Sequence, residues 1–294
     1  MRLPPWQAHP TVWFVMILVQ GTYLLAIRDR NRRNAEVAAG RGGEQGGSAR
    51  VEPAATRRQI TLFSIGVAVL WIGAGWPIHD LAERYLYSIH MVQHILFSLV
   101  APPLLIAGMP VWMLRKILAP RPVAAVARVV TRPIVALVIF NGILLLTHWP
   151  AVVDLSVRSE LFHFGAHTLL VGSALLMWWP VMSPLPELPA LPAPAQMLYL
   201  FIQSLAPTIP ASFLTFGTKP LYPIYATFPR IWGISALTDQ LIAGLIMKIV
   251  GSAILWGVIT TIFFRWHARE ERDGLDALQW RDVERDVRAG LNSR

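Results

Sequence analysis

An all-α fold, a polytopic membrane bundle of seven transmembrane helices with its N-terminus outside and its C-terminus cytoplasmic, is predicted by three features of this sequence. Only 15% of the 294 residues are charged and 54% are hydrophobic, whereas a soluble domain carries about 25% charge. The hydrophobic residues gather in seven blocks of 17 residues or more, each able to cross a hydrocarbon core of about 30 Å. The basic residues, 23 Arg and 3 Lys, fall on alternate sides of those blocks. Helices are the only reading, because an open sheet would strand backbone groups in lipid and the blocks lack the alternation of barrel strands.

The first span covers about residues 11–27. Only Arg2 precedes it, and Arg28, Arg30, Arg32 and Arg33 follow at once, the reverse of a secretory signal, so it is an uncleaved span. The connection 28–59 holds eight arginines and is placed in the cytoplasm. Its 35–55 stretch is rich in Gly, Ala, Glu and Arg with no periodic apolar face, which predicts a flexible loop. Spans follow at 60–76, 88–108, 133–149, 161–180, 195–216 and 239–264. The 109–132 connection carries Arg115, Lys116, Arg121, Arg128 and Arg132 and is cytoplasmic, while 77–87, 150–160 and 217–238 carry one, one and two basic residues and are external. The 181–194 connection, with five prolines and Glu187, casts no charge vote.

Residues 1–266 thus form one transmembrane domain, and 267–294 a charged cytoplasmic tail. Leu275, Val283, Val287 and Leu291 recur there at near-helical intervals, which predicts an amphipathic helix on the inner membrane surface or on a partner. Pro102-Pro103 and the pair Pro207 and Pro210 interrupt the third and sixth spans and free carbonyls that the protein must satisfy internally. Lys248, within the last span, needs a carboxylate, carbonyl oxygens or a water-filled path.

Cysteine is absent, which excludes disulfides, thiolate metal sites, iron–sulfur clusters and Cys nucleophiles. No HExxH, GxSxG or glycine-rich phosphate loop is present. Because the basic residues partition by membrane side, nothing indicates nucleic acid. The histidines are the remaining chemistry. Seven of the eight lie toward the outer face: His9, His79, His90, His94, His148, His163 and His167. His90 and His94 on the third span and His163 and His167 on the fifth share an i,i+4 spacing, which stacks each pair on one helix face about 6 Å apart along the axis. Both spans run inward, so the pairs sit at matched depth. His148 ends the fourth span at that level, His79 follows the second, and Asp239 opens the seventh. Two readings of this cluster stand: a metal site, for which imidazole suits copper, zinc, iron or nickel, or interhelical hydrogen bonds. Metal ligation requires neutral imidazole, so affinity should fall below roughly pH 6.5.

His90-Met91-Val92-Gln93-His94, then Ala101-Pro102-Pro103-Leu104-Leu105 and Gly108-Met109-Pro110, form a third-span signature. With His148-Trp149-Pro150, Phe162-His163-Phe164 to His167, Trp178-Trp179-Pro180, Leu221-Tyr222-Pro223, Asp239-Gln240 and Ala243-Gly244, the chain over roughly 60–266 resembles the CtaG family of multispanning bacterial cytochrome c oxidase assembly factors. The resemblance implies a bacterial plasma-membrane protein that is not an enzyme and that handles copper for the oxidase catalytic subunit, with a periplasmic or other extracytoplasmic copper donor. It points to His90, His94, His163, His167, His148, His79 and Asp239 as metal-site residues. A second family of the same name consists of single-span copper carriers that use cysteines, which this sequence lacks. Two alternatives remain open: a membrane metalloenzyme or b-type haem redox protein ligated by His94 and His167, and a metal-free assembly scaffold.

Overall fold

The structure, a computed structural model, describes residues 5–45 and 53–292. Regular structure among the described residues is helical throughout. In chain order the helices are α1 (Pro10–Gln45), α2 (Arg57–Ala74), α3 (Ile78–Arg84), α4 (Tyr87–Ile95), α5 (Ala101–Gly108), α6 (Val111–Ile117), α7 (Arg121–Val130), α8 (Pro133–Thr147), α9 (Pro150–Arg158), α10 (Glu160–Met182), α11 (Ala193–Leu205), α12 (Thr208–Phe216), α13 (Ala236–Leu245) and α14 (Gly251–Asn292). One wide π-type turn, Leu96–Val100, joins α4 to α5, and another, Ile246–Val250, joins α13 to α14.

Six stretches are long and apolar enough to cross a membrane: Pro10–Ala39, Arg57–Arg84, Tyr87–Gly108, Glu160–Met182, Ala193–Phe216 and Ala236–Asp273. This makes the chain a multi-pass membrane protein. A seventh span is reached only by counting α7 and α8 together, and these are bent by 81°. The fourth predicted span corresponds to α8, whose 15 residues reach only about 22 Å. Prolines set that length: Pro133 starts the helix, and Pro150 holds Trp149 in an extended conformation just beyond its end. Two predicted boundaries also move outward. α1 continues through the arginines to Gln45, with Arg33 pairing with Asp29 at 2.7 Å and Arg32 with Glu36 at 3.4 Å, each one helical turn away. α14 continues without interruption into the charged tail. Of the predicted 35–55 loop, residues 46–52 lie outside the described residues.

The bundle is inverted relative to a soluble protein. Large apolar side chains such as Phe14, Ile134, Leu161 and Phe216 face outward, while His90, Gln93, His94, Asn141, His148, His163, Gln203 and Asp239 are buried. Without a hydrophobic drive between helices in lipid, close packing and interhelical hydrogen bonds hold such a bundle together. α2 and α5 meet through small residues: a Cβ at Gly108 would fall on the Phe63 backbone, and one at Gly66 would press on Leu105. Tyr23 of α1 stacks on Phe63 with ring centroids 3.8 Å apart and donates to the Gly108 carbonyl at 2.9 Å. Asn141 of α8 donates to Gln203 of α11 at 2.8 Å.

The proline pair in the third span has a specific partner. Pro102 has no N–H to donate to the carbonyl of Ser98 four residues earlier. The Trp178 indole of α10 donates there instead, at 2.9 Å, with both residues buried. Trp178→Phe keeps most of the ring but orphans that carbonyl, and should lower stability by about 1–3 kcal/mol. Equilibrium unfolding of the detergent-solubilised protein measures it, and an unchanged stability would show that the carbonyl finds another donor.

Candidate metal centre

The site is built at one end of the bundle from α3, α4, α9, α10, α13 and the segments after α8 and α12. Its frame begins at α4. Asp239, on the first turn of α13, accepts the backbone N–H of Tyr87 at 2.7 Å and of Ser88 at 3.0 Å. One fully buried carboxylate thereby satisfies two of the four N–H groups that a helix start leaves free. Its neighbour Gln240 closes a reciprocal pair with Tyr222, accepting from its N–H at 3.1 Å and donating to its carbonyl at 3.0 Å.

That clamp seats the segment after α12 over the site. Tyr222 donates its hydroxyl to the His148 carbonyl at 2.8 Å, and Tyr225 to the Ala82 carbonyl at 3.0 Å. Burial pushes the Tyr222 phenol up to about 12 and the Tyr225 phenol well above its ordinary value, so both remain protonated donors. Tyr87 lies between them and His90, its ring centroid 4.5 Å from Tyr222, 5.0 Å from Tyr225 and 5.5 Å from the imidazole.

Beneath this cover the two helical pairs converge. His90 and His94 have ring centroids 4.4 Å apart, His163 and His167 4.1 Å apart, and across the helices His90–His167 and His94–His167 are 5.7 and 5.6 Å apart. One ligand nitrogen each from His90, His94 and His167 lies within 4.8 Å of the others. An ion about 2.0–2.1 Å from each nitrogen would need them within about 4.2 Å, a gap that small rotations of the rings close. His148 reaches the group from the end of α8, its ring centroid 5.2 Å from that of His94. Its Nδ1 lies 2.7 Å from the Leu144 carbonyl, so Nδ1 carries the proton and Nε2 presents a lone pair. Metal-bound histidines are commonly fixed by a carbonyl in this way.

Four imidazole nitrogens are buried without a hydrogen-bond partner: His90 Nδ1, His148 Nε2, His163 Nε2 and His167 Nε2. Buried polar atoms in this number call for an explanation, and hydrogen bonds between helices do not supply one. His90, His94, His163 and His167 line a cavity of about 20 Å³, room for one ion or one water. Deeper, His94 and His148 share a second cavity, about 50 Å³, with Met91, Gln203, Met247 and Lys248. Of the three settings expected for Lys248, carboxylate, carbonyl or water-filled path, it takes the side of this cavity, with no carboxylate or carbonyl bonded to it among the described residues. Its ammonium lies 5.8 Å over the Phe216 ring.

Two of the expected site residues stand apart from the His90, His94 and His167 group. Asp239 is spent on the α4 backbone and joins neither group of candidate ligands among the described residues. His79 lies in a second group with Glu83 and His163, whose ligand atoms also fall within 4.8 Å of one another. Glu83 lies between both rings, its Oε2 3.2 Å from His79 Nε2 and its Oε1 3.2 Å from His163 Nδ1. The sequence reading missed Glu83 because it treated 77–87 as a plain connection, although the i,i+4 spacing from His79 was there to be read. Ser156 on α9, 3.1 Å from His163 Nδ1, had no such signal.

A family model described as cytochrome c oxidase caa3 assembly factor (Caa3_CtaG) matches residues 38–269, close to four fifths of the chain. The match takes in every residue of both ligand groups. No curated protein and no solved structure matches the chain.

Proposed function

Because this chain belongs to the cytochrome c oxidase caa3 assembly factor family, we propose that it carries copper on His90, His94 and His167, supported by His148, and passes the ion to the catalytic subunit of a haem–copper oxidase. The copper is cargo, and the protein is a metallochaperone with no reaction of its own. The observation that supports this most is the set of buried, partnerless imidazole nitrogens, those of His90, His163 and His167 on residues that line a cavity of about 20 Å³ and that of His148 on a residue lining the adjoining cavity. All-imidazole ligation without thiolate suits copper. The histidine end of the bundle faces outside a bacterial plasma membrane, as the arginines at the opposite end of the first and third spans argue. There it accepts the ion from an extracytoplasmic donor. Haem ligated by His94 and His167 would need a slot as wide as a porphyrin, and the cavity these rings line is far smaller.

The test is a strain deleted for this protein, assayed for oxidase activity with and without added copper and complemented with the wild type or with His90, His94, His163 and His167 all changed to Ala. The expected result is loss of oxidase activity, partial rescue by copper alone, full rescue by the wild type and none by the quadruple variant. Full complementation by that variant would leave a metal-free scaffold as the better reading.

A further inference from the structure

We infer that the protein holds copper at two positions in series, an outer one on His79, Glu83 and His163 Nδ1 and an inner one on His90, His94 and His167 joined by His163 Nε2, so that His163 serves both. This rests on the copper-carrying function proposed above and adds the route by which the ion arrives.

The two nitrogens of His163 serve different surroundings. Nδ1 lies 3.2 Å from Glu83 and 3.1 Å from Ser156. Nε2, on the other side of the ring, is buried without a partner, and His163 lines the cavity shared with His90, His94 and His167. His79 and Glu83 do not line that cavity. Hydrogen bonding alone would account for Glu83 between two rings, but it leaves Nε2 unexplained.

The His79 and Glu83 side chains are 16% and 17% exposed and that of His163 4%; of the inner rings, His90 and His94 are buried and His167 is half-buried with its Nε2 buried. An ion coming from water therefore meets the carboxylate position first. His9 and Asp80, paired at 3.0 Å, stand beside it, with the His9 ring 4.7 Å from that of His79. The two donor sets differ in charge. A carboxylate with two imidazoles offsets part of a divalent charge at the mouth, and imidazole alone receives the ion where water is excluded. In the transfer, the bonds from copper to Glu83 oxygen and His79 nitrogen break and bonds to His90, His94 and His167 form. His163 exchanges Nδ1 for Nε2 as ligand, and its ring proton moves to the nitrogen the metal leaves. No electron is transferred.

The experiment uses the full chain in detergent with Cu(II) chloride as the probe. The variant with His90, His94 and His167 changed to Ala should retain one Cu(II), with carboxylate oxygen among its ligands by electron paramagnetic resonance, and should lose it when Glu83→Gln is added. In an otherwise unaltered chain, Glu83→Gln should leave the inner Cu(II) in place but slow its loading at least about tenfold. Two results overturn the proposal: no Cu(II) in the triple variant at wild-type helicity, or loading of Glu83→Gln at the wild-type rate. With the wild type still binding one Cu(II), either result leaves the carrier function standing. A wild-type chain that binds no copper removes both.

Discussion

Purified protein in which His90, His94 and His167 are all replaced by alanine is expected to bind copper at the inner position at least about 100-fold more weakly than the wild type. Loss of even a supporting residue around a metal ligand typically costs 10–100-fold, and here the ligands themselves are removed. Competition against a copper chelator of known affinity measures the change. Stability should move the other way from intuition. Truncating a buried side chain leaves a void, but His90 and His167 each bury a ring nitrogen with no partner, and removing an orphaned polar atom relieves a cost rather than adding one. The variant should therefore stay folded, so loss of copper from the inner position can be read without loss of structure. An unchanged affinity would dismiss these three rings as ligands. His148→Ala, which removes one lone pair at the edge of the group, should weaken binding by about tenfold.

Asp239→Ala is expected to be the most damaging single substitution at this end of the bundle. The carboxylate accepts from two buried backbone N–H groups, those of Tyr87 and Ser88, and each orphaned donor costs about 1–3 kcal/mol. A loss of about 2–6 kcal/mol in unfolding free energy follows from the pair. Since α4 carries His90 and His94 in its first two turns, fraying of its start also displaces the ligands, and copper affinity should fall with stability. Asp239→Asn keeps one acceptor oxygen and should lose about half as much stability. If Asp239 were a metal ligand instead, Asn and Ala would both lower copper affinity while leaving apo-protein stability nearly unchanged, and equilibrium unfolding of the metal-free protein separates the cases.

These two substitutions mark the boundary between local and distant information in this chain. The i,i+4 spacing of His90 with His94 and of His163 with His167 is a property of one helix, so each pair could be stacked on a face from sequence alone. Their common depth followed from the positions of both pairs near the same end of parallel-running spans. Asp239, by contrast, sits among polar residues at the start of a span, where a carboxylate facing a metal and one capping another helix look the same. Tyr87 and Ser88 are about 150 residues away in the chain, and no spacing rule connects them. The proline pair behaves likewise. That Pro102 frees the Ser98 carbonyl is local chemistry, while the indole that satisfies it comes from Trp178, 80 residues on.

Composition, hydropathy and helical period by themselves determined that this chain is helical, embedded in a membrane and equipped with two imidazole pairs, because each of those depends on residues within a few turns of one another and on the absence of water in lipid. The tertiary structure alone decided that Glu83 draws His79 and His163 into a group of their own, that Asp239 holds a helix start, and that the short α8 turns 81° from α7. Which face of one helix meets which face of another is set by packing across the whole bundle, where glycines such as Gly108 allow close approach and buried polar atoms must find partners far away in sequence.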